Sequence, residues 1–331
     1  MAAAALPPSP RESALAWFRA ARYGLFIHYG LYSLDGVHPF YQHRMKVPVA
    51  EYAKWKDRFT ANHFRASDFA DLAVEARMKY VNLVTKHCDG FCLWNTRQTD
   101  FSTVHSPARR DLVAEMAEAC RKRKLGLFLF YEHGFDWRHP HGPRFRDFPL
   151  RLAEVPYDPP EPSYAYGAEY HLDRYVEYVK AQITELLTGY GPIAGIWLDG
   201  AAVPRSGDWR RFRLTELYVT IHRLQPRTLI SYKFGITGTE DFLAPERPQL
   251  KLIQDRGTKP MEMCIPLSPG WGYVRGEPHI GVEDVMKLEA EARQLGANLL
   301  VNVGPLGDGS IHGEDRETLR AFGKRIRSMK G

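Results

Sequence analysis

Short apolar runs alternate with longer amphipathic stretches along nearly the whole sequence. That order suits repeated βα units around a parallel sheet and little else. Six runs read as strands: Tyr23–Ile27, Tyr80–Thr85, Leu125–Phe130, Gly195–Leu198, Thr228–Tyr232 and Asn298–Val303. Between and after them, helical periodicity predicts Ser67–Lys79 with Ser67 as its cap, Asp111–Lys124, His171–Thr188, Leu214–Leu224, Val282–Leu295 and a basic helix over Arg316–Lys330. The proline- and charge-bearing segment Lys251–Cys264 has room for one or two more strands, and eight are expected in all.

The chain has 331 residues, 44% apolar and 25% charged, which is globular composition and excludes a disordered or collagenous chain. No repeat or low-complexity linker divides it, and α/β barrels reach about 250 residues or more as one unit, so a single domain over 1–331 is expected. Its net charge of +6 is scattered. The densest basic cluster, Arg121–Lys124, falls where cations offset a helix dipole, which argues against nucleic acid as a partner. Cys88, Cys92, Cys120 and Cys264 lack zinc-ribbon spacing and read as buried thiols of a reducing compartment. No apolar run is long enough for a membrane span. The N-terminus lacks a signal-peptide pattern, so a cytoplasmic location is the expectation. The proline-rich stretch 137–163 is expected to be a long loop over one face.

The strand ends carry the chemistry. FIHYG ends in His28, NLVTKHCDG in His87 and Asp89, LFLFYEHG in Tyr131, Glu132 and His133, and GIWLDG in Asp199 with Trp197 on the same strand face. Any one of these suits a cap or a satisfied core histidine, but four together predict a polar pocket lined with aromatics at the C-terminal face. Aromatic faces with hydroxyl-binding partners suit a sugar, and a glycosidase needs two carboxyl groups in opposed roles. Asp199, which closes an apolar strand before Gly200, is the nucleophile candidate. The acid is left open among Glu240, Asp241 and Glu246.

The ordered segments YGLFIHYGLYS, KYVNLVTKHCDGFCLW, RRDLVAEMAEACRKRKLGLFLFYEHGFDW, GIWLDG, MEMCIPLSPGWGY and NLLVNVGPLGDGSI resemble the α-L-fucosidases of glycoside hydrolase family 29. The resemblance runs from about Trp17 to Ile326. It implies an irregular (β/α)8-like TIM barrel of the α/β class and hydrolysis of terminal α-L-fucosyl residues with retention, without a metal or organic cofactor. The family's nucleophile falls on Asp199. Its acid/base, in a segment like Asp-Phe-x-x-Pro-Glu, falls on Glu246. His28, His87, Tyr131 and Trp197 match sugar ligands, and Trp271 of the GWGY segment joins them.

Elsewhere the chain departs from the family pattern. His87-Cys88-Asp89 stands for His-His-Asp, Pro39-Phe40-Tyr41 for Glu-Trp-Tyr, and Ser231-Tyr232-Lys233 for Asn-Asp-Arg. Phe40, Cys88 and Lys233 are therefore sugar-shell candidates in altered form, with Pro39 also changed, and Tyr41 is a candidate that keeps the family's residue. Each altered hydrogen bond is worth ~1–3 kcal/mol in a site built to pair a hydroxyl. Loss of several would move preference toward another glycone, such as an α-L-galactoside, or leave a sugar-binding pseudoenzyme. A metal-dependent hydrolase using His28, His87, His133 and Asp199 is a further rival, weakened by the lack of an HxH or HExxH pair. The family often appends a β-sandwich. None is expected here, which leaves the aglycone side open, the 137–163 loop partly covering it, and a neighbouring copy in a homo-oligomer as an alternative wall. The expected partner is a fucosylated oligosaccharide or glycoconjugate.

Overall fold

The computed structural model describes residues 8–153, 170–253 and 256–329. Seven parallel strands make one curled sheet: β1 (Tyr23–Ile27), β2 (Tyr80–Lys86), β3 (Gly126–Glu132), β4 (Gly195–Asp199), β5 (Leu229–Tyr232), β6 (Glu262–Pro266) and β7 (Asn298–Val303). Their order is β5-β4-β3-β2-β1-β7-β6, so the last strand returns to pair with the first. β6 begins at the end of the segment Lys251–Cys264, left uncertain by its proline and charges, and runs two residues past it. Between the two edges runs 242–246, whose isolated bridges reach β5 (Ser231 with Phe242) and β6 (Glu246 with Cys264). Pro245 cannot donate to a ladder, so this segment bridges at single residues and forms no regular strand.

The helices of ten or more residues are α1 (Pro10–Ala21), α2 (Ala66–Glu75), α3 (Leu112–Lys122), α4 (Leu172–Gly189), α5 (Leu214–Leu224), α6 (Val282–Gln294) and α7 (Gly313–Ser328). α1 starts on a capping box: Ser9 Oγ accepts from the Glu12 N–H at 3.2 Å, and the Glu12 carboxylate accepts from the Ser9 N–H at 2.7 Å. Asp111 caps α3 by accepting from the Ala114 N–H at 2.8 Å. The expected cap of α2 is corrected. Ser67 lies inside the helix, which begins after Arg65 with no side-chain cap. None of the described helices is long and apolar enough to cross a membrane. All four cysteines are buried and free.

Two apolar layers result from strands that are buried on both faces. The outer layer lies between sheet and helices. The inner one fills the concave face with Phe18 of α1, Phe26, Tyr80, Phe128, Phe130, Trp197 and Phe242. Small residues make room for these rings. A Cβ on Gly24 would stand 2.2 Å from the Tyr80 ring, which is held by Glu262 through its hydroxyl and packs on Phe18 and Phe128. Gly24→Ala should therefore cost about 1–3 kcal/mol as an overpacking substitution. Urea unfolding measures it, and a change below ~0.5 kcal/mol would show that the ring yields freely.

Candidate active site

Side chains alternate along each strand, so the register decides what faces inward. Phe128 pairs with Gly195, Phe130 with Trp197, and Glu132 with Asp199. Glu132 and Asp199 thus end neighbouring strands on one face, above the Phe130 and Trp197 rings, which stack at 5.5 Å. They open into a cavity of about 620 Å³ at the C-terminal strand ends, walled in part by His28, Phe40, His87, Trp197, Lys233, Glu246 and Trp271. A larger groove of about 740 Å³ opens elsewhere, around Trp17, Leu125, Pro192 and Pro226. Its lining holds no carboxylate, histidine or cysteine, and its ionisable side chains are Lys124 and Arg227, so it lacks the paired carboxyl groups a glycosidase needs.

The ammonium of Lys233 stands between two carboxylates, 3.1 Å from Asp199 Oδ2 and 2.6 Å from Glu246 Oε1. Those two oxygens are therefore no further apart than the sum of the two distances. Asp199 Oδ1 accepts from the Gly200 N–H at 2.6 Å. That contact uses a φ of +81° at Gly200, where a Cβ would also strike the Glu132 carboxyl. The Asp199 carboxyl sits above its ordinary pKa chiefly through burial. Lys233 opposes that shift and Glu246 adds to it. Lys233 and Trp271, both in the wall, hold left-handed φ values of +49° and +61°. Strain of this kind, of order 1–3 kcal/mol per residue, concentrates where a side chain's direction matters.

The two inward histidines are neutral. Burial depresses His28 to about 3 and holds His87 well below the usual imidazole range. Asn302 Nδ2 donates to the Trp271 carbonyl at 2.6 Å, so its Oδ1 is the acceptor for His28 Nδ1–H at 2.5 Å. His28 Nε2 is left as a hydrogen-bond acceptor. The His87 ring stacks on Phe130 at 5.7 Å, and its Nδ1 lies 2.9 Å from Cys88 Sγ. Beneath them Trp197 donates through Nε1 to Glu262 at 3.0 Å, and burial lifts that carboxyl to about 7.

Not every sequence-predicted residue reaches the cavity. Tyr131 is corrected: strand alternation turns it outward, where its hydroxyl donates to Gln182 at 2.7 Å and its ring lies 4.5 Å from the Lys86 ammonium. The inward neighbour is Glu132, which the sequence analysis names at this strand end without giving it a role. Tyr41 stacks on Trp55 at 5.8 Å and is absent from the wall, while Cys88 backs His87 from behind. Glu240 is taken up by the Ile236, Thr237 and Gly238 N–H groups and the Tyr218 hydroxyl. Asp241 is held by Arg11, His222 and the Ile230 N–H. Of the three acid candidates, only Glu246 lines the cavity. The described part of the 137–163 stretch supplies Leu150 and Leu152 to the wall, and 154–163 lie outside the described residues.

The four-ligand metal arrangement fails on geometry. His133 faces away from the cavity, with Nδ1 3.0 Å from the Tyr232 hydroxyl and its ring against Phe212. Elsewhere His279, His312 and Asp315 bring one ligand atom each within 4.8 Å of one another. Yet the two imidazoles are stacked face to face at 4.1 Å and 8°, and a metal must lie in the plane of each ring it binds. That cluster reads as a clasp between the β6–α6 loop and α7, closed by His279 on Asp315 at 2.6 Å.

A family profile described as Alpha-L-fucosidase matches residues 8–329. Alpha-L-fucosidase 1 of Arabidopsis thaliana is 28% identical over 300 residues, covering 82% of this chain and 53% of that protein. The plasma alpha-L-fucosidase of Homo sapiens is 26% identical, covering 94% of this chain and 67% of that one. The chain thus spans about half the length of the plant relative. Among solved structures, alpha-L-fucosidase isoenzyme 1 from Paenibacillus thiaminolyticus superposes with a TM-score of 0.85 at 31% identity, covering 96% of this chain and 76% of that one. The alpha-L-fucosidase AlfC from Lactobacillus casei, in complex with its alpha-L-fucose product, gives 0.84 at 25%, covering 96% and 99%. A pocket with paired carboxylates at the strand ends and a match over nearly the whole chain lead to one assignment: the chain belongs to the α-L-fucosidase family.

Proposed function

We propose that this protein is a retaining exo-glycosidase that hydrolyses terminal α-L-fucosyl residues from glycans, with Asp199 as nucleophile and Glu246 as acid/base. The observation that carries the reading is the shared ammonium of Lys233. It keeps the two facing carboxylate oxygens below the ~6.5–9.5 Å separation that inverting pairs leave for a water, which favours the retaining arrangement. Asp199 attacks the anomeric carbon while Glu246, protonated, gives its proton to the departing oxygen. Glu246 then takes a proton from the water that cleaves the fucosyl ester. Lys233 favours the ionised nucleophile, and neutral His28 accepts from a sugar hydroxyl through Nε2.

The aromatic wall of Phe40, Phe130, Trp197 and Trp271 suits the C–H face and methyl group of a deoxy sugar. Structures of AlfC hold 4-nitrophenyl-a-L-fucopyranoside and Fuca(1,6)GlcNAc, and the same class of substrate is inferred here. We further read the sheet as a single eightfold barrel, with 242–246 in the place of the missing strand, and the chain as one catalytic domain. The test is proton NMR during hydrolysis of p-nitrophenyl α-L-fucoside, run beside the α-L-galactoside. First appearance of α-L-fucose, with weaker turnover of the galactoside, is expected. First appearance of the β anomer would overturn retention, and preference for the galactoside would overturn the fucosyl specificity.

A further inference from the structure

A third carboxyl group lines the same cavity and has no part in the two-carboxylate mechanism. Glu132 is 2% exposed, and its Oε1 is shut in without any hydrogen-bond partner. The cations nearby are already engaged. Lys86, on the outer side of β2, is bound to Asp136 at 2.9 Å, and Lys233 is shared by Asp199 and Glu246. Among the described residues no ion pair reaches Glu132, while Asp199 on the adjacent strand is its register partner. A buried carboxylate with no counter-charge beside a second carboxylate cannot afford its own charge.

We propose that Glu132 works as an uncharged carboxylic acid, donating a hydrogen bond to a hydroxyl of the bound sugar beside Asp199. The proposal rests on the fucosidase reading for the identity of that sugar. The charged groups around Glu132 are consistent with it. Burial and Asp199, then Asp136, push its carboxyl well above the ordinary range, against the pull of Lys86 and Lys233. A proton on the enclosed Oε1 would find no acceptor, so the proposed donor is the other oxygen of a carboxyl that lines the cavity. This role differs from that of Glu246. The proton is kept and only shared, which leaves acid/base chemistry to the pair spanned by Lys233.

The experiment compares wild type, Glu132→Gln and Glu132→Met on p-nitrophenyl α-L-fucoside, with infrared spectra of the unliganded proteins at neutral pH. Glutamine keeps a neutral donor and methionine keeps only the volume. Glu132→Met should lose about ten- to a hundredfold in kcat/KM, carried mainly by KM, and Glu132→Gln at least tenfold less than that. The wild type should show a protonated-carboxyl C=O band that disappears in Glu132→Gln. Equal damage in both variants, or a spectrum without that band, would overturn the proposal. If the wild type fails to turn over the fucoside, the fucosidase reading falls, and the infrared band alone then upholds or overturns the uncharged Glu132.

Discussion

Asp199→Ala is expected to lower kcat/KM on p-nitrophenyl α-L-fucoside by about 10⁴-fold or more, the scale on which loss of a catalytic-triad residue is felt. The geometry gives the reason. Asp199 ends β4 with Oδ1 fixed by the Gly200 N–H and Oδ2 beside the Lys233 ammonium, so one carboxylate is aimed into the cavity before substrate arrives. Such prior orientation is part of what a covalent mechanism gains over solution chemistry. Alanine removes the attacking oxygen but leaves the aromatic wall and His28, so affinity for L-fucose should change by only a few-fold. The vacated space should also admit azide, which would attack the same face and release β-L-fucosyl azide. Azide rescue with that stereochemistry would identify the missing group as the nucleophile. Turnover that survives the substitution would move the role to Glu132 or Glu246, the other carboxyls lining the cavity.

The strand ends that suggested Asp199 could be read because apolar runs in parallel sheets stop sharply. β1 and β7 match the predicted Tyr23–Ile27 and Asn298–Val303, and the helix Leu214–Leu224 matches as well. β6 was blurred by Pro260 just before it and by Glu262 at its start, a buried acid that does not look like core from composition. Which face a residue takes was harder to read. In GLFLFYE nearly every residue is buried, so hydrophobicity carries no alternation, and Tyr131 and Glu132 were equally eligible for the pocket. A signal was present in the neighbouring strand. If Trp197 and Asp199 share the inner face, their register partners Phe130 and Glu132 must share it too. Glu240, Asp241 and Glu246 could not be separated from sequence because all three are acids near strand ends. Only the folded chain shows the first two consumed by backbone N–H groups and by Arg11.

Lys233→Met is expected to lower kcat/KM at neutral pH by about 10²–10³-fold, the range for loss of one preorganised charge-stabilising donor. Lys233 is 8% exposed at its side chain and touches both proposed catalytic carboxylates, so methionine leaves two like charges facing one another without a cation. Such a pair retains a proton that the ammonium had kept off. The direction for Asp199 follows from its surroundings. Its carboxyl is already lifted by burial and by Glu246, and Lys233 is what pulls it down. Without Lys233 the Asp199 pKa rises further, the ionised nucleophile appears only at higher pH, and the acidic limb of the kcat/KM profile must move toward alkaline pH. Lys233→Arg keeps the charge and should leave that limb nearer its wild-type position, even where its bulk weakens binding. An unchanged acidic limb in Lys233→Met would show that the ammonium does not set the charge of Asp199.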